Sequence, residues 1–160
     1  MLATAPLAKV SNRQFIKAVR LMTARTTVWT EMITCNTVLH GTLEHVAQRN
    51  LPSSDVGGPR VLQLAASDPA QLEAATRLLV TSRFGDLFDE VNLNCGCPAE
   101  SAGHGAHGAF LLRLAERDRL RRLCDALVQG AGKGKEASIK IRTGVAGEAR
   151  RSASSCVLIL

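Results

Sequence analysis

Residues 91–110 read VNLNCGCPAESAGHGAHGAF and gather several of the chain's reactive side chains. Cys95, Cys97, His104 and His107 are of types that bind zinc. Their spacing, C-x-C-x6-H-x2-H, is not a standard finger spacing. Residues i and i+2 of a strand share a face. Cys95 and Cys97 therefore converge on one ion only if strand geometry runs past Asn94. A second reading takes GHGAHG, residues 103–108, a literal G-x-G-x-x-G. That device needs its glycines in the first tight turn between strand and helix, and here the strand ends near Asn94, nine residues earlier. A third reading sets a cysteine at the end of a strand, where Pro98 keeps the chain out of a helix. A thiol there can act as nucleophile or proton donor. A small buried residue is an equally good account of a free cysteine, and spacing alone does not choose.

Other elements must position this stretch. LATAPL at the N-terminus is a short apolar run ended by Pro6. In SNRQFIKAVRLM, Ser11 or Asn12 can cap a helix whose Phe15, Ile16, Val19 and Met22 fall at helical spacing. TTVWTEMI (26–33) is β-branched and aromatic, as strands are. TVLHG closes a short helical piece at Gly41, and LPSSDVGGP (51–59) is a loop by composition. VLQLA (61–65) is a strand. Ser67 or Asp68 followed by Pro69 opens the next helix. DEVNLN (89–94) is a strand. Residues 109–128 form a helix with a basic outer face, and ASIKIRTG (137–144) is a fifth strand. The strands read as apolar runs, as strands buried on both faces do. Strand and helix alternate, so the fold class is α/β with a parallel sheet. The tail, GEARRSASSCVLIL, is compatible with a truncated helix, an edge strand or foreign sequence.

The 160 residues suffice for one domain with a real core, built on Leu, Val, Ile and Ala because only four Phe, one Trp and no Tyr are present. The net charge of +6 favours phosphate-bearing partners such as RNA, or is simply a solvated basic face. Five cysteines, at 35, 95, 97, 124 and 156, are an odd number. No signal peptide or membrane-spanning run is expected. Free thiols in a cytoplasmic or organellar interior follow, rather than a disulfide scaffold.

NLNCGCP resembles the N-L-N-x-G-C-P motif of the tRNA-dihydrouridine synthases. APL (5–7) is similar to that family's A-P-M, and TEMITCNTVLHG (30–41) to the T-E-M…H-G segment of its D-loop-modifying subgroup. VLQLAASDP (61–69) resembles L-Q-L-x-G-x-x-P, GAFLL (108–112) resembles G-A-x-L, and IKIRTGV (139–145) resembles V-K-x-R-x-G. The pieces keep their order from residue 3 to about 146. The resemblance implies a (β/α)8 barrel, of which about five of the eight strands are present. Residues 1–146 would be the N-terminal portion of an FMN-binding barrel and 147–160 a divergent or truncated tail.

The resemblance also implies a reaction: FMN-dependent reduction of uridine to 5,6-dihydrouridine in the tRNA D-loop, with NADPH as reductant. Carried over by position, Cys97 gives the proton to C5 of the base. An ordinary thiol, with a pKa near 8.5, is mostly protonated at neutral pH and suits that task. Pro6, Leu7, Ala8, Gln63 and Lys140 would contact FMN. Asn94 would face the tRNA, whose target uridine must leave its stack. Cys95 stands where the family has an apolar residue and reads as packing. No metal and no membrane are expected. Leu7 replaces the family's methionine, and His104 and Ala106 replace residues of the substrate loop. Two other readings stand beside this one: a catalytically inactive basic remnant that binds RNA or a partner, and a flavin barrel acting on a free pyrimidine. The TEM and HG elements favour the tRNA enzymes over the latter.

Overall fold

The computed structural model describes residues 2–55, 57–99 and 106–142, together with the backbone of 155–159. Helix α1 (Arg13–Met22) starts where the Asn12 side chain accepts the Phe15 N–H at 3.0 Å, and it buries Ile16 and Val19. Strand β1 (Val28–Thr34) runs directly into α2 (Cys35–His40), because the Thr34 hydroxyl accepts the Thr37 N–H. Helix α3 (Leu43–Asn50) and a loop lead to β2 (Arg60–Ala65). The Asp68 carboxylate then caps α4 (Pro69–Thr81) by accepting the Gln71 N–H at 2.9 Å, with Pro69 in the first turn. Strand β3 (Glu90–Cys95) precedes two 3-10 turns, Gly108–Leu112 and Leu114–Glu116. Helix α5 (Arg117–Ala131) ends at Gly132, whose φ of 60° a side chain would resist, and β4 (Glu136–Arg142) follows. Strand β5 (Ser155–Ile159) closes the sheet.

The sheet order is β1-β2-β3-β4-β5, parallel through β4, with β5 antiparallel on β4. The fold is α/β: four parallel strands alternating with helices, the arrangement of part of a (β/α)8 barrel. The expected strand at 137–144 is present as β4, but the sheet's five strands do not begin with LATAPL. The opening LATAPL makes a single bridge, Ala3 to Thr27, and the loop after it is drawn onto β1 by side-chain bonds. The extra strand comes from the tail. Helix α3 was not expected, and the helix expected from residue 109 begins only at Arg117. Arg113 is the reason: its extended backbone (ψ 145°) separates two short turns before α5 can propagate. Residues 143 and 144 of the expected fifth strand lie outside the described residues.

The two faces of the sheet differ. Leu62, Leu64, Val91, Leu93, Cys95, Ala137 and Ile139 join one core with Leu72, Ala75 and Leu79 of α4 and Leu123 and Leu127 of α5. Each fully buried leucine contributes about 1.5–3 kcal/mol. Gly130 lets α5 approach α4, since a Cβ there would sit 2.7 Å from the Thr76 Cβ. The alternate residues point the other way, and in β3 and β4 they are polar; in β2, Gln63 is polar between Val61 and Ala65. Register places Gln63 beside Asn92 and Asn92 beside Ser138, with Asn94 beside Lys140 one level higher and Glu90 beside Glu136 one level lower. The strands are therefore not all the uniformly apolar runs expected; β3 and β4 alternate with a period of two, and β2 is apolar except for Gln63.

Candidate active site at the strand ends

At the C-terminal end of β3 the Asn94 side chain redirects the chain. Its Oδ1 accepts the N–H of Gly96 at 3.0 Å and of Cys97 at 2.9 Å. Such a side-chain turn offers backbone donors an alternative to the sheet ladder. The strand stops at Cys95, so Cys95 and Cys97 part company. Cys95 is wholly buried in the helix-side core, while Cys97 is half-buried past the strand end. Reading Cys95 as packing agrees with this placement. Cys97 is held on its other side too, since its carbonyl accepts the Ala109 N–H at 2.9 Å.

The two backbone donors fix the Asn94 amide with oxygen toward the turn and nitrogen toward the sheet. Its Nδ2 donates to Gln63 Oε1 at 2.8 Å, Gln63 Nε2 donates to Asn92 Oδ1 at 2.9 Å, and Asn92 Nδ2 donates to Ser138 Oγ at 2.6 Å. The Ser138 hydroxyl donates to the Glu90 carboxylate. Turning the Asn92 amide over would let its oxygen accept the Lys140 N–H at 3.3 Å and the Ser138 hydroxyl at 2.6 Å, and its nitrogen donate to the Leu93 carbonyl at 3.2 Å. It would also set two N–H groups, of Asn92 and Gln63, against each other at 2.9 Å. With Asn94 held by the turn, the Gln63 nitrogen faces Asn92 and meets an acceptor only when the Asn92 amide is not turned over. The result is a chain of hydrogen bonds pointing one way, in which each bond polarises the next. Burial raises the Glu90 pKa and nearby Glu136 adds to the rise, against the lowering by the Ser138 bond.

Other expected site residues fall around this chain. Gln63 is fully buried, with its backbone N–H on the Thr30 hydroxyl at 3.1 Å. Lys140 is half-buried beside Asn94 in register. Pro6, Leu7 and Ala8 are tied to β1 and not to the amide chain. Ser11 Oγ donates to the Ala5 carbonyl at 2.7 Å and accepts the Leu7 N–H at 2.9 Å. Lys9, at a φ of 64°, donates its N–H to buried Glu31 of β1 at 2.8 Å. Leu7 and Ala8 are exposed and Pro6 is half-buried.

His107 is no exposed loop histidine. It is half-buried, its Nδ1 is covered and unpartnered, and burial lowers its pKa. It lines a cavity of about 400 Å³ with Thr34, Asn36, Ala65, Ser67 and Gln71, at the same end of the sheet. His104 lies outside the described residues. Among the described residues no group of three or more His, Cys, Asp or Glu could hold a metal. Burial pushes the thiols of Cys35 and Cys95 up to about 12, so neither supplies thiolate near neutral pH. Sequence reasoning missed Asn92 and Ser138. The signal was present as polar residues two apart in VNLN and again in SIK, within segments read as apolar.

A family model described as dihydrouridine synthase (Dus) matches residues 2–159. The chain belongs to the dihydrouridine synthase family. Proteins named tRNA-dihydrouridine(20/20a) synthase are similar to it. That of Xanthomonas campestris pv. campestris is 37% identical over 112 residues, 70% of this chain and 31% of that protein. That of Salmonella typhi is 34% identical over the same shares. That of Shewanella oneidensis is 33% identical over 125 residues, 78% of this chain and 34% of that protein. The chain spans about a third of the length of these curated relatives. As a dihydrouridine synthase sequence it has its four parallel strands accounted for, because the family fold is the (β/α)8 barrel, whose active sites lie at the C-terminal strand ends. Cys97, Gln63, Asn94 and Lys140 lie toward that end of β2, β3 and β4.

Proposed function

We propose that this chain carries the flavin side of a tRNA-dihydrouridine synthase, which reduces uridine to 5,6-dihydrouridine in the tRNA D-loop. The observation that supports this most is the Asn94 turn, which lifts Cys97 out of the strand at the C-terminal end of the sheet within the matched family range. The donor set suits FMN. Lys140 can hold negative charge on a reduced ring, the Gln63 amide can meet a ring edge, and the backbone of Pro6, Leu7 and Ala8 can flank it. When bound, FMN re-reduced by NADPH supplies hydride to C6 of the base. Cys97 gives the proton to C5 from the opposite face, which leaves the thiolate to be reprotonated from solvent. Asn94 faces the flipped-out uridine with the one amide N–H that neither the turn nor Gln63 uses. No helix among the described residues is long and apolar enough to cross a membrane, and the reading places the chain in an interior compartment with its tRNA.

The test incubates the chain with FMN, NADPH and unmodified tRNA and measures dihydrouridine by nucleoside mass spectrometry. Cys97→Ala is expected to lower the rate about 10²-fold or more, the usual worth of a positioned proton donor. Equal rates in the two proteins would refute the assignment. The net charge of +6 supports a second reading, a catalytically inactive basic remnant that binds RNA or a partner. It expects salt-sensitive tRNA binding, no dihydrouridine and no effect of Cys97→Ala.

A further inference from the structure

Asn94 uses one side chain on three partners. Its Oδ1 holds the N–H groups of Gly96 and Cys97, and its Nδ2 holds Gln63 Oε1. Gly96 is otherwise the freest residue of the turn, because glycine has the widest backbone choice. The only other described tether at Cys97 is its carbonyl on the Ala109 N–H. We propose that Asn94 is a positioning residue that couples two groups: it sets the backbone carrying the Cys97 thiol and, with the same amide, fixes which way the Gln63 amide points. The role deepens the reading above and rests on it for the importance of Cys97 and Gln63. The coupling itself is a property of the protein without flavin or tRNA.

The polarity follows from chemistry. Backbone N–H groups cannot accept, so the Asn94 oxygen must face them and its nitrogen must face Gln63. Gln63 must then offer its oxygen to Asn94 and its nitrogen to Asn92. The carboxylate of Glu90, an obligate acceptor when ionised, enforces the same direction from the far end through Ser138. Removing Asn94 frees both the turn and the upper end of Gln63. Replacing it with aspartate preserves the acceptor for the turn but sets a carboxylate oxygen against Gln63 Oε1, two acceptors without a proton between them.

The two variants therefore separate the two halves of the role. The experiment is alkylation of the chain with iodoacetamide across pH, read cysteine by cysteine by peptide mass spectrometry. Asn94→Ala is expected to raise the Cys97 rate about fivefold, the ratio that one net hydrogen bond supplies. Cys35 and Cys95 stay slow and report that the fold is intact. Asn94→Asp is expected to retain the wild-type Cys97 rate within about twofold, because a carboxylate oxygen still accepts the Gly96 and Cys97 N–H groups. In the same variant the side-chain amide resonances of Gln63 shift. Cys97 reacting in Asn94→Ala at the wild-type rate overturns the turn half. If Asn94→Ala exposes Cys35 and Cys95, Asn94→Asp decides instead, and Cys97 reacting there fivefold faster than wild type while Cys35 and Cys95 stay slow overturns it. Unmoved Gln63 resonances in Asn94→Asp overturn the coupling half. None of these readouts needs catalysis, so a failure to form dihydrouridine leaves them standing.

Discussion

On the helix side of the sheet, Leu62, Leu64, Leu93 and Ile139 meet α4 and α5 through contacts that have no direction. On the other side, Gln63, Asn92, Asn94 and Ser138 meet one another through hydrogen bonds, each of which has a direction. The same strands supply both sets, residue by alternate residue. The apolar side stabilises in proportion to area and tolerates exchange of one hydrocarbon for another. The polar side adds little net stability per bond, yet a single wrong group leaves a buried neighbour unpaired. Nothing in packing requires amides where barrels usually carry branched hydrocarbons. Their presence on the face opposite the helix-side core fits the proposed site.

Substitutions can set the two sides against each other. Leu64→Ala, on the apolar side, is expected to destabilise the chain by about 2–5 kcal/mol in urea unfolding, because it leaves a cavity against α4. Asn92→Leu, on the polar side, is expected to cost about 1–3 kcal/mol, since Gln63 Nε2 loses its acceptor and Ser138 Oγ loses a donor. Adding Gln63→Leu to Asn92→Leu should recover part of that loss, because a pair of apolar groups leaves fewer orphans than one. If the double variant loses as much as the sum of the singles, the polar side is structural and the contrast fails.

A smaller effect concerns Glu90, whose carboxyl is pushed above its ordinary value by burial and then by Glu136. A carboxyl with a raised folded pKa destabilises the fold at pH above that raised value. The penalty is relieved as pH falls toward the ordinary value near 4.3. Glu90→Gln retains an oxygen for Ser138, so it is expected to be slightly more stable than wild type at pH 7. That advantage should vanish by about pH 4. Thermal unfolding at the two pH values checks the sign. An advantage that grows on acidification would mean that Glu90 is stabilised in its ionised form.

Much of the fold was written in short-range signals. Asn12 and Asp68 cap the helices expected of them, and Pro69 sits in the first turn, because capping needs only neighbours along the chain. The position of Cys97 past a strand end was equally legible from Pro98 and the apolar run before it. Three features were not. LATAPL has a strand-like composition, but Ser11 and Glu31 draw the following loop onto β1 after a single bridge. Helix α3 has a threonine at its start whose side chain makes no cap bond, so its onset carried little signal. The amide chain was missed because Gln63, Asn92 and Ser138 are 29 and 46 residues apart and meet only once register is set. Their alternation with Leu62, Leu64, Val91 and Leu93 could have been read, had the strands not been taken as buried alike on both faces.

The claim on which the rest depends is that the polar strand ends around Asn94 and Lys140 form a flavin site. Titration of FMN into the folded chain, followed by flavin fluorescence, tests it most directly. The account expects saturable quenching, weakened about tenfold or more in Lys140→Met, as for loss of a hydrogen bond to a charged group. A folded chain that leaves FMN fluorescence unchanged, or a Lys140→Met variant that binds as wild type does, would contradict it.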